Sequence, residues 1–378
     1  MNFKTVKDIE NLKGKKVLLR LDLNAPIVNG ALRDGFRVKK SMTTLNFLRE
    51  NGAKTVIISH IESAETKSLK AAYEYLSEFF HIAFFKDCFS AETKNATSKM
   101  NEGDFILLEN LRICEGEEKN SEYFAGQLAS LGEIYVNEAF SVSHRRHASI
   151  VGVPKFLPSF AGILFEEEVV NLSRAFSPEH PFLFILGGAK FETKMPLIEK
   201  FLKLADFVFV GGALANDLFK DRGYEVGLSV LSPKKFNLQK IAESDKLLLP
   251  TDVVVKNNQG VFIKRPSQVL KEDKILDGGP ATISMLEKKL SASRFVLWNG
   301  PLGDYEKGFR EGTAELAKTI AKSGAKSIIG GGDTLAVVSK MDLENKFSFV
   351  STGGGAMLDF LANETLPGIK ALENNILL

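Results

Sequence analysis

Glycine turns followed by charged side chains are the features of this sequence best suited to chemistry. Ser327–Val338 reads SIIGGGDTLAVV, in which an apolar run breaks into three glycines and Asp333 precedes a helix-like pattern. A glycine turn at a helix N-terminus exposes backbone N–H groups and partial positive charge, so it suits a phosphate group. Asp333 could cap that helix and also reach a metal ion held by phosphates. The stretch predicts a phosphate and metal site, although an ordinary strand-to-helix turn has the same pattern.

The same succession of apolar run, glycines and helical pattern recurs in the second half. It is found at Phe184–Lys190 (FILGGAK), Phe207–Ala215 (FVFVGGALA) and Phe349–Ala356 (FVSTGGGA). Lys190 directly follows one of these turns and Lys194 lies four residues further, so a helix would place both on one face. A solvated face is the simple alternative, but the glycine turn before Lys190 favours a phosphate.

Another predicted strand in the second half ends in a Gly-Pro turn. Phe295–Gly303 reads FVLWNGPLG, and Glu306 follows shortly after it. Such a turn could present Asn299 or Glu306 to a nucleotide. The usual nucleotide fingerprints, GxGxxG and GxxxxGK[ST], do not occur in the sequence, so the prediction depends on the turns themselves.

Charged and polar side chains of the first half follow predicted buried strands such as Lys16–Asp22 (KVLLRLD) and Thr55–His60 (TVIISH). They lie at or just beyond strand ends: Asp22, Asn24, Arg37, His60, Arg112 and Arg145. Arginine binds phosphate or carboxylate through two parallel hydrogen bonds, so the set predicts a cradle for a small phosphorylated acid. Two simpler interpretations stay open: Ser141–His147 (SVSHRRH) as a solvated basic loop, and His60 as a structural histidine.

Parallel β-sheets are the elements that would bring these residues together. Strands of such sheets are buried on both faces and therefore read as continuous apolar runs, and ligands bind at their carboxyl ends. With 378 residues the chain is long enough for two domains, and the two prolines of Gly152–Ser159 mark a boundary between them. We expect one anion cradle in the first half and one crevice lined by glycine turns in the second.

Bulk composition argues against several classes of protein. The net charge is +2, which gives no electrostatic reason to expect nucleic-acid binding. No apolar run reaches the length of a membrane span, and the first residues lack the apolar core of a secretory signal, so no membrane association is expected. Cys88 and Cys114 form no metal or disulfide pattern, which favours a reducing cytoplasm.

Taken together, these stretches resemble the phosphoglycerate kinase family over essentially the whole chain. The matching segments occur in family order: RLDLNAP, VIISH, LLENLR, VNEAFSVSHRRHAS, FILGGAK, FVGGALA, LLLPTD, LWNGPLGDYE, IIGGGDT, VSTGGGA and LPGIKAL. The resemblance implies an α/β fold with two lobes, each a parallel β-sheet flanked by helices (Rossmann-like), joined by a hinge helix. It implies an N-terminal lobe over 1–158, a linker helix over 159–178 and a C-terminal lobe over 179–365, with the tail 366–378 packed back on the first lobe.

The resemblance also implies an activity, reversible phosphoryl transfer between ATP and the carboxylate of 3-phosphoglycerate, which gives 1,3-bisphosphoglycerate and ADP in glycolysis and gluconeogenesis. It implies Mg²⁺ as the cofactor that accompanies the nucleotide, and a cytoplasmic monomer whose lobes close by hinge bending. Family roles place 3-phosphoglycerate on the first-half residues Asp22, Asn24, Arg37, His60, Arg112 and Arg145.

In the second half, the resemblance implies nucleotide-binding roles for residues in and around the glycine turns. These are Lys190, Lys194, Gly211, Gly212, Asn299, Glu306, Gly331, Gly332, Asp333 and Thr334. Asp333 is the implied magnesium ligand, and Glu306 is the implied ribose ligand. The implied catalytic residues, which would stabilise the transferring phosphoryl group, are Arg37, Lys190, Gly332 and Gly355.

The sequence departs from the family pattern near the predicted cradle. Where the family has Leu-Gly-Arg-Pro, this chain has Ile-Glu-Ser-Ala, so Ser63 replaces a substrate-contacting arginine and Glu62 adds a negative charge. In the family's Asp-Ala-Phe-Gly, Glu138 and Ser141 replace the aspartate and the glycine. The lost arginine leaves open an alternative, a catalytically weakened or non-catalytic homologue that acts as a binding protein. A third interpretation, an α/β enzyme with another substrate, would make the motif order a coincidence.

Overall fold

The computed structural model describes residues 2–32, 36–63, 65–234 and 236–375, which form two compact units. Unit 1 comprises the described residues up to Val170 together with those from Asn363 onwards, and unit 2 comprises Asn171–Ala362. The boundary between Val170 and Asn171 falls within one helix, Ile163–Ser173. Residues 376–378 of the predicted tail lie outside the described residues.

A parallel sheet forms the centre of unit 1. The strands of this unit are β1 (Lys16–Arg20), β2 (Ile27–Val28), β3 (Ala31–Leu32), β4 (Lys54–Ile58), β5 (Ile82–Phe85), β6 (Phe105–Leu108), β7 (Ile134–Asn137) and β8 (Ser159–Ala161). Six of them form a parallel sheet in the order β5-β6-β4-β1-β7-β8, and β2 and β3 pair as a separate antiparallel hairpin. Four of the five positions in β1 and in β4 are buried, as expected for strands covered on both faces.

Unit 2 repeats this architecture and adds a small antiparallel sheet. Its strands are β9 (Phe182–Leu186), β10 (Phe207–Val210), β11 (Leu247–Leu248), β12 (Val253–Asn257), β13 (Gly260–Lys264), β14 (Lys274–Gly278), β15 (Phe295–Asn299), β16 (Lys326–Gly330) and β17 (Phe349–Val350). The parallel sheet has the order β11-β10-β9-β15-β16-β17. The antiparallel sheet has the order β13-β12-β14. Every residue of β9 is buried, which explains its uninterrupted apolar sequence FLFIL.

Helices connect the strands and cover the sheets. They are α1 (Phe36–Glu50), α2 (Lys70–Ser77), α3 (Ala91–Ser98), α4 (Glu115–Glu118), α5 (Glu122–Ala129), α6 (Ile163–Ser173), α7 (Phe191–Leu204), α8 (Leu214–Asp221), α9 (Gln239–Ala242), α10 (Pro280–Leu290), α11 (Glu311–Lys322), α12 (Gly332–Ser339), α13 (Gly355–Asn363) and α14 (Pro367–Glu373). Helix α14 belongs to unit 1, where the Gly368 N–H donates to the Ser143 carbonyl oxygen at 2.8 Å. No helix in the described part of the chain is long and apolar enough to cross a membrane.

The predicted α/β architecture with two parallel sheets is confirmed, and two details differ from the sequence interpretation. Strand β8 lies within the stretch assigned to the linker helix, because residues 159–161 pair with β7 before α6 begins. The antiparallel sheet was not anticipated, since the three central residues of β13 (Val261, Phe262 and Ile263) are all exposed and give no alternation of buried and exposed positions.

Candidate active site

In unit 1, the carboxyl ends of neighbouring parallel strands bring the predicted cradle residues to one edge of the sheet. Asp22 follows β1, His60 follows β4, Arg112 follows β6 and Arg145 follows β7. These four strands are adjacent in the sheet, in the order β6-β4-β1-β7. Arg37 is the second residue of α1. Crossover connections between parallel strands therefore gather residues that are distant in sequence.

Asp22 is the centre of a hydrogen-bond network that orients Arg37. Arg37 Nη1 donates to Asp22 Oδ2 and to the Asn24 carbonyl oxygen, each at 3.2 Å. The Ser141 hydroxyl also donates to Asp22 Oδ2, and the Asn24 N–H donates to Oδ1 at 3.0 Å. Burial acts to raise the pKa of Asp22, but Arg37 and these hydrogen bonds outweigh it and hold the pKa below its usual range. The carboxylate thus stays ionised and fixes the guanidinium of Arg37.

His60 is held as a neutral ring with a defined tautomer. Its side chain is buried, and Arg20 Nη2 lies 3.2 Å from His60 Nδ1. A guanidinium can only donate, so Nδ1 accepts and the ring proton resides on Nε2. Burial, and then the positive charge of Arg20, lower the pKa of His60 to about 2. His60 can therefore offer an Nε2–H hydrogen bond to an anion without being charged itself.

Arg20 connects His60 to a second buried charge that sequence reasoning missed. Arg20 Nε donates to Ser149 Oγ at 2.8 Å, and that hydroxyl donates to Glu117 Oε1 at 2.5 Å. The Ser149 N–H donates to Glu117 Oε2 at 2.9 Å. Arg20 and Glu117 are both fully buried, so each needs the other to offset its charge. A lone arginine at the end of the apolar strand KVLLR was the available signal for this network.

Arg112 is paired with carboxylates of the protein itself. Arg112 Nη1 donates to Glu62, and Arg112 Nε lies 3.5 Å from Glu118 Oε1. The hydrogen bond and charge of Arg112, with a smaller effect of Arg145, hold the pKa of Glu62 below its usual range. Ser63 carries no charge, so it does not supply the positive charge of the family arginine, and its hydroxyl accepts the Glu65 N–H at 3.2 Å.

The other two departures from the family pattern take part in hydrogen bonds. Ser141 donates to Asp22, as described above, and so supports the orientation of Arg37. Glu138 is buried and accepts the Leu164 and Phe165 N–H groups at 3.2 and 3.3 Å, in the first turn of α6. Burial raises the pKa of Glu138 from 4.5 to about 8, although these donors oppose the shift.

Unit 2 contains a cavity of about 560 Å³ next to the glycine turns that follow β9, β10, β15 and β16. The predicted nucleotide residues that line it are Lys190, Lys194, Gly212, Asn299, Glu306, Gly331, Gly332 and Asp333. Gly211 and Thr334 lie outside its wall, and both are buried. Gly355 also lies outside this wall and begins α13. The cavity thus gathers eight of the ten nucleotide-binding residues predicted from the sequence.

Four of the lining glycines have a positive φ that favours glycine, and two of them show what the site needs. Gly212 has φ +63°, and a Cβ there would lie 2.6 Å from the backbone nitrogen of Gly188. Gly331 has φ +101° and occupies the N-cap position of α12. These two positions favour glycine because an L-residue with a side chain rarely adopts such φ values. The N–H groups that begin α12 have no partner within the helix, and Gly332 and Asp333 lie at the cavity wall, so this end suits an anion.

Lys190 and Lys194 line the same cavity, as expected for one site, although only Lys194 lies within a helix. Lys190 is the N-cap residue of α7, with φ +65° in the left-handed region, and its side chain is exposed. Lys194 lies inside the helix, is buried, and donates from Nζ to the Gly187 carbonyl oxygen at 2.7 Å. Burial lowers the pKa of Lys194 to about 8, and the charge of Asp333 partly offsets this shift. The two lysines therefore reach the cavity from different backbone conformations, left-handed at Lys190 and helical at Lys194.

Asp333 is not the helix cap that the sequence predicted, because Gly331 takes that position. Asp333 lies in the first turn of α12, and it is exposed. Among the described residues no cluster of three or more His, Cys, Asp and Glu side chains could hold a metal ion. Magnesium ions are commonly bound by one or two carboxylates together with substrate phosphates and water. A single carboxylate beside a helix N-terminus therefore fits a Mg²⁺ ion that would arrive with a polyphosphate.

Comparisons with known proteins agree with this arrangement. A family model described as phosphoglycerate kinase matches residues 6–364. The chain is 41% identical over 388 residues to the phosphoglycerate kinase of Pelotomaculum thermopropionicum, with 98% of each covered. It is 39% identical over 394 residues to that of Borrelia garinii subsp. bavariensis, covering 99% of this chain and 100% of the relative.

Solved structures give the same result. The phosphoglycerate kinase structure from Coxiella burnetii matches with a TM-score of 0.83 at 35% identity, and the one from Pyrococcus horikoshii with a TM-score of 0.86 at 30% identity. Each match covers 98% of both chains. Because the family model spans nearly all of the sequence and the relatives match over their whole length, this chain belongs to the phosphoglycerate kinase family.

Proposed function

We propose that this kinase transfers a phosphoryl group reversibly between ATP and the carboxylate of 3-phosphoglycerate, giving 1,3-bisphosphoglycerate and ADP. Unit 1 would bind the phosphoglycerate and unit 2 the nucleotide. The observation that carries the proposal is the cavity of unit 2, where Lys190, Lys194 and Asp333 lie beside the N-terminus of α12. Two cations, a helix N-terminus and a single carboxylate together suit a polyphosphate accompanied by Mg²⁺.

The cradle of unit 1 has the donors that a phosphorylated acid requires. Arg37 is held in place by Asp22, and His60 offers an uncharged Nε2–H donor. Arg112 and Arg145 add positive charge near His60, since both act to lower its pKa. Arginine forks match the geometry of both phosphate and carboxylate groups. We assign 3-phosphoglycerate to these residues together with Asn24, whose carbonyl oxygen accepts from Arg37.

The proposed reaction needs no general base. The attacking group, a carboxylate, is already ionised at neutral pH because ordinary carboxyl pKa values lie near 4. One carboxylate oxygen bonds to the γ-phosphorus of ATP while the bond from that phosphorus to the bridging oxygen breaks, and ADP leaves with the electron pair. The rate then depends on alignment and on stabilisation of charge on the transferring group.

Several groups of the chain would stabilise that charge. We assign this role to Arg37 in unit 1, to Lys190 in unit 2, and to the backbone N–H groups at Gly332 and Gly355, which begin helices α12 and α13. Mg²⁺ bound through Asp333 and the nucleotide phosphates would supply additional neutralisation of phosphate charge. Each substrate is assigned to a different unit, so in-line transfer also requires hinge closure, which would exclude water from the reacting groups.

The alternative function, a non-catalytic homologue that acts as a binding protein, rests on the serine at position 63. That substitution removes one cation from the cradle but leaves Arg37, His60 and Arg145, and it does not touch the cavity of unit 2. We therefore expect weakened substrate affinity and not a loss of catalysis.

We also propose that the enzyme is a cytoplasmic monomer. Cys88 and Cys114 are free thiols, which fits a reducing compartment. Analytical ultracentrifugation tests the monomeric state, and a single species near 41.6 kDa is expected. A concentration-dependent dimer would contradict it.

A coupled assay tests the proposed reaction. Purified protein is supplied with ATP, Mg²⁺ and 3-phosphoglycerate, and 1,3-bisphosphoglycerate is consumed by a coupling enzyme that oxidises NADH. We expect turnover that requires both substrates. Lys203→Met is the matched control for a Lys190→Met variant in this assay. It removes an exposed lysine from the far end of α7 and should keep full activity. A protein that binds both ligands but shows no turnover in either direction would support the binding-protein alternative.

A further inference from the structure

The ion pair between Glu62 and Arg112 lies at the proposed phosphoglycerate cradle. The Arg112 side chain is only 10% exposed, whereas that of Glu62 is 67% exposed. Arg112 Nη1 donates to Glu62 Oε2. The cation therefore belongs to the packed protein, and the carboxylate approaches it from the solvent side, which is also the side from which a dissolved anion would come.

The backbone holds Glu62 beside the cradle. The Glu62 N–H donates to Asn24 Oδ1 at 3.0 Å, and Asn24 is itself joined to Arg37 through its carbonyl oxygen. Arg145 is near enough to act on the charge of Glu62. The Glu62 carboxylate thus lies within the field of two arginines of the cradle and is not a remote surface charge.

We propose that the carboxylate of Glu62 occupies the anion-binding position of Arg112, so that a phosphorylated acid must displace it in order to bind. Glu62 is then a residue that sets the affinity for the substrate by competing with it. This inference rests on the proposed function, because it takes the anion of unit 1 to be 3-phosphoglycerate. It also gives a role to the negative charge that stands where the family has glycine: Glu62 accepts from a largely buried arginine whose other nearby carboxylate, Glu118, makes no hydrogen bond to its Nε.

The direction in which Glu62 changes the substrate affinity follows from how many anions Arg112 can bind at once. Its Nη1 donates to Glu62, whereas its Nε lies 3.5 Å from Glu118 Oε1 without making a hydrogen bond, so one donor is already bonded to a carboxylate and a second carboxylate is close by. A phosphate group, with its greater charge, can replace Glu62 but must first break this pair. Removal of the Glu62 charge removes that cost and also removes repulsion of the incoming anion.

The opposite role is also physically reasonable, and it predicts the opposite sign. If Glu62 served to hold Arg112 in the orientation that substrate requires, as Asp22 holds Arg37, loss of its carboxylate would weaken binding. Glu62→Gln keeps the size of the side chain and removes only the charge, so it separates the two roles. Because Glu62 is exposed, this substitution leaves the fold intact.

A matched control isolates the contact from the change in net charge. Glu65 lies in the same loop, is exposed, and pairs with no cation among the described residues. Glu65→Gln changes the net charge of the protein by the same amount as Glu62→Gln. Any difference between the two variants therefore reports the contact with Arg112.

The experiment is isothermal titration calorimetry of the parent, Glu62→Gln and Glu65→Gln with 3-phosphoglycerate, and separately with inorganic phosphate. Ion pairs with an exposed partner are worth up to ~1 kcal/mol, so we expect Glu62→Gln to bind 3-phosphoglycerate about two- to fivefold more tightly than the parent. Glu65→Gln should change the free energy of binding by less than about half of the change that Glu62→Gln produces.

The outcomes separate the inference from the function on which it rests. If the parent binds 3-phosphoglycerate and Glu62→Gln binds it no more tightly than Glu65→Gln, or more weakly, the competing role of Glu62 is wrong and the proposed substrate stands. If no variant binds 3-phosphoglycerate but Glu62→Gln tightens inorganic phosphate, the proposed substrate is wrong and the competing role stands. If no variant binds 3-phosphoglycerate and Glu62→Gln does not tighten inorganic phosphate, both the proposed substrate and the competing role of Glu62 are wrong.

Discussion

Replacement of Arg20 by methionine should destabilise unit 1 and change the state of His60 at the same time. Methionine retains much of the length of the arginine side chain but cannot donate. The change removes the hydrogen bonds from Arg20 to Ser149 and His60, and it leaves the buried carboxylate of Glu117 without the positive charge that Ser149 links to it. Two Ser149 donors still reach Glu117, and His147 Nδ1 lies 3.9 Å away.

The expected magnitude follows from the burial of both charges. Arg20 and Glu117 are not in direct contact but are linked through the Ser149 hydroxyl. Removing one of two coupled buried charges typically costs about 3–5 kcal/mol, because the other charge stays desolvated. We therefore expect Arg20→Met to lower the free energy of unfolding of unit 1 by that amount. Adding Glu117→Gln should restore roughly 1–3 kcal/mol, because the double variant has no uncompensated charge, so the two substitutions should not be additive.

Hydrogen–deuterium exchange measured by mass spectrometry is the suitable assay, because it reports strands individually. Peptides that cover β1 and β7 should exchange roughly 10²–10⁴-fold faster in Arg20→Met, as each 1.4 kcal/mol is a factor of ten. Fluorescence of the single tryptophan, Trp298 on β15 of unit 2, should stay as in the parent and confirms that unit 2 is folded.

Nitrogen NMR of His60 gives an independent measurement. In the parent the neutral ring should carry its proton on Nε2, and in Arg20→Met this preference should weaken because Nδ1 loses its donor. The reasoning is refuted if Arg20→Met costs less than about 1 kcal/mol, or if adding Glu117→Gln simply adds a second loss. An unchanged tautomer of His60 would show that Arg20 does not control it.

Three other substitutions test the site and its surroundings. Lys190→Met should lower kcat by roughly 10²-fold or more with smaller changes in substrate affinity, measured beside the Lys203→Met control, and an unchanged kcat would remove Lys190 from the mechanism. Asp333→Asn should weaken binding of the magnesium nucleotide but not of 3-phosphoglycerate, so equal losses in two separate calorimetric titrations would make Asp333 structural. The pKa of Glu138 is raised from 4.5 to about 8 on folding, so the folded state binds the extra proton between these pH values and the parent loses stability as pH rises through that window. Glu138→Gln should lose much less stability between pH 5 and pH 8, as measured by urea unfolding at each pH. Identical pH dependence of the two proteins would contradict the shift in the pKa of Glu138.

The sequence by itself determined the class of fold and the kinds of residue at each site. Continuous apolar runs such as FLFIL predicted strands buried on both faces, and the structure has them at the centres of two parallel sheets. Glycines after these runs predicted the turns that line the cavity of unit 2. These predictions succeed because periodicity and turn chemistry act over a few residues, which a single sequence displays directly.

The tertiary structure alone decided which partners the charged side chains have. Arg20 and Ser149 are 129 positions apart, and Glu62 and Arg112 are 50 apart, so no local pattern could pair them. Their contacts depend on strand order and register, which place the ends of β1, β4, β6 and β7 at one edge. Likewise, the spacing of Lys190 and Lys194 suggested one shared face, but the left-handed backbone at Lys190 left one amine exposed and the other buried. Sequence spacing gives neighbours along an element, whereas the ionisation and partners of a buried side chain depend on what the fold packs against it.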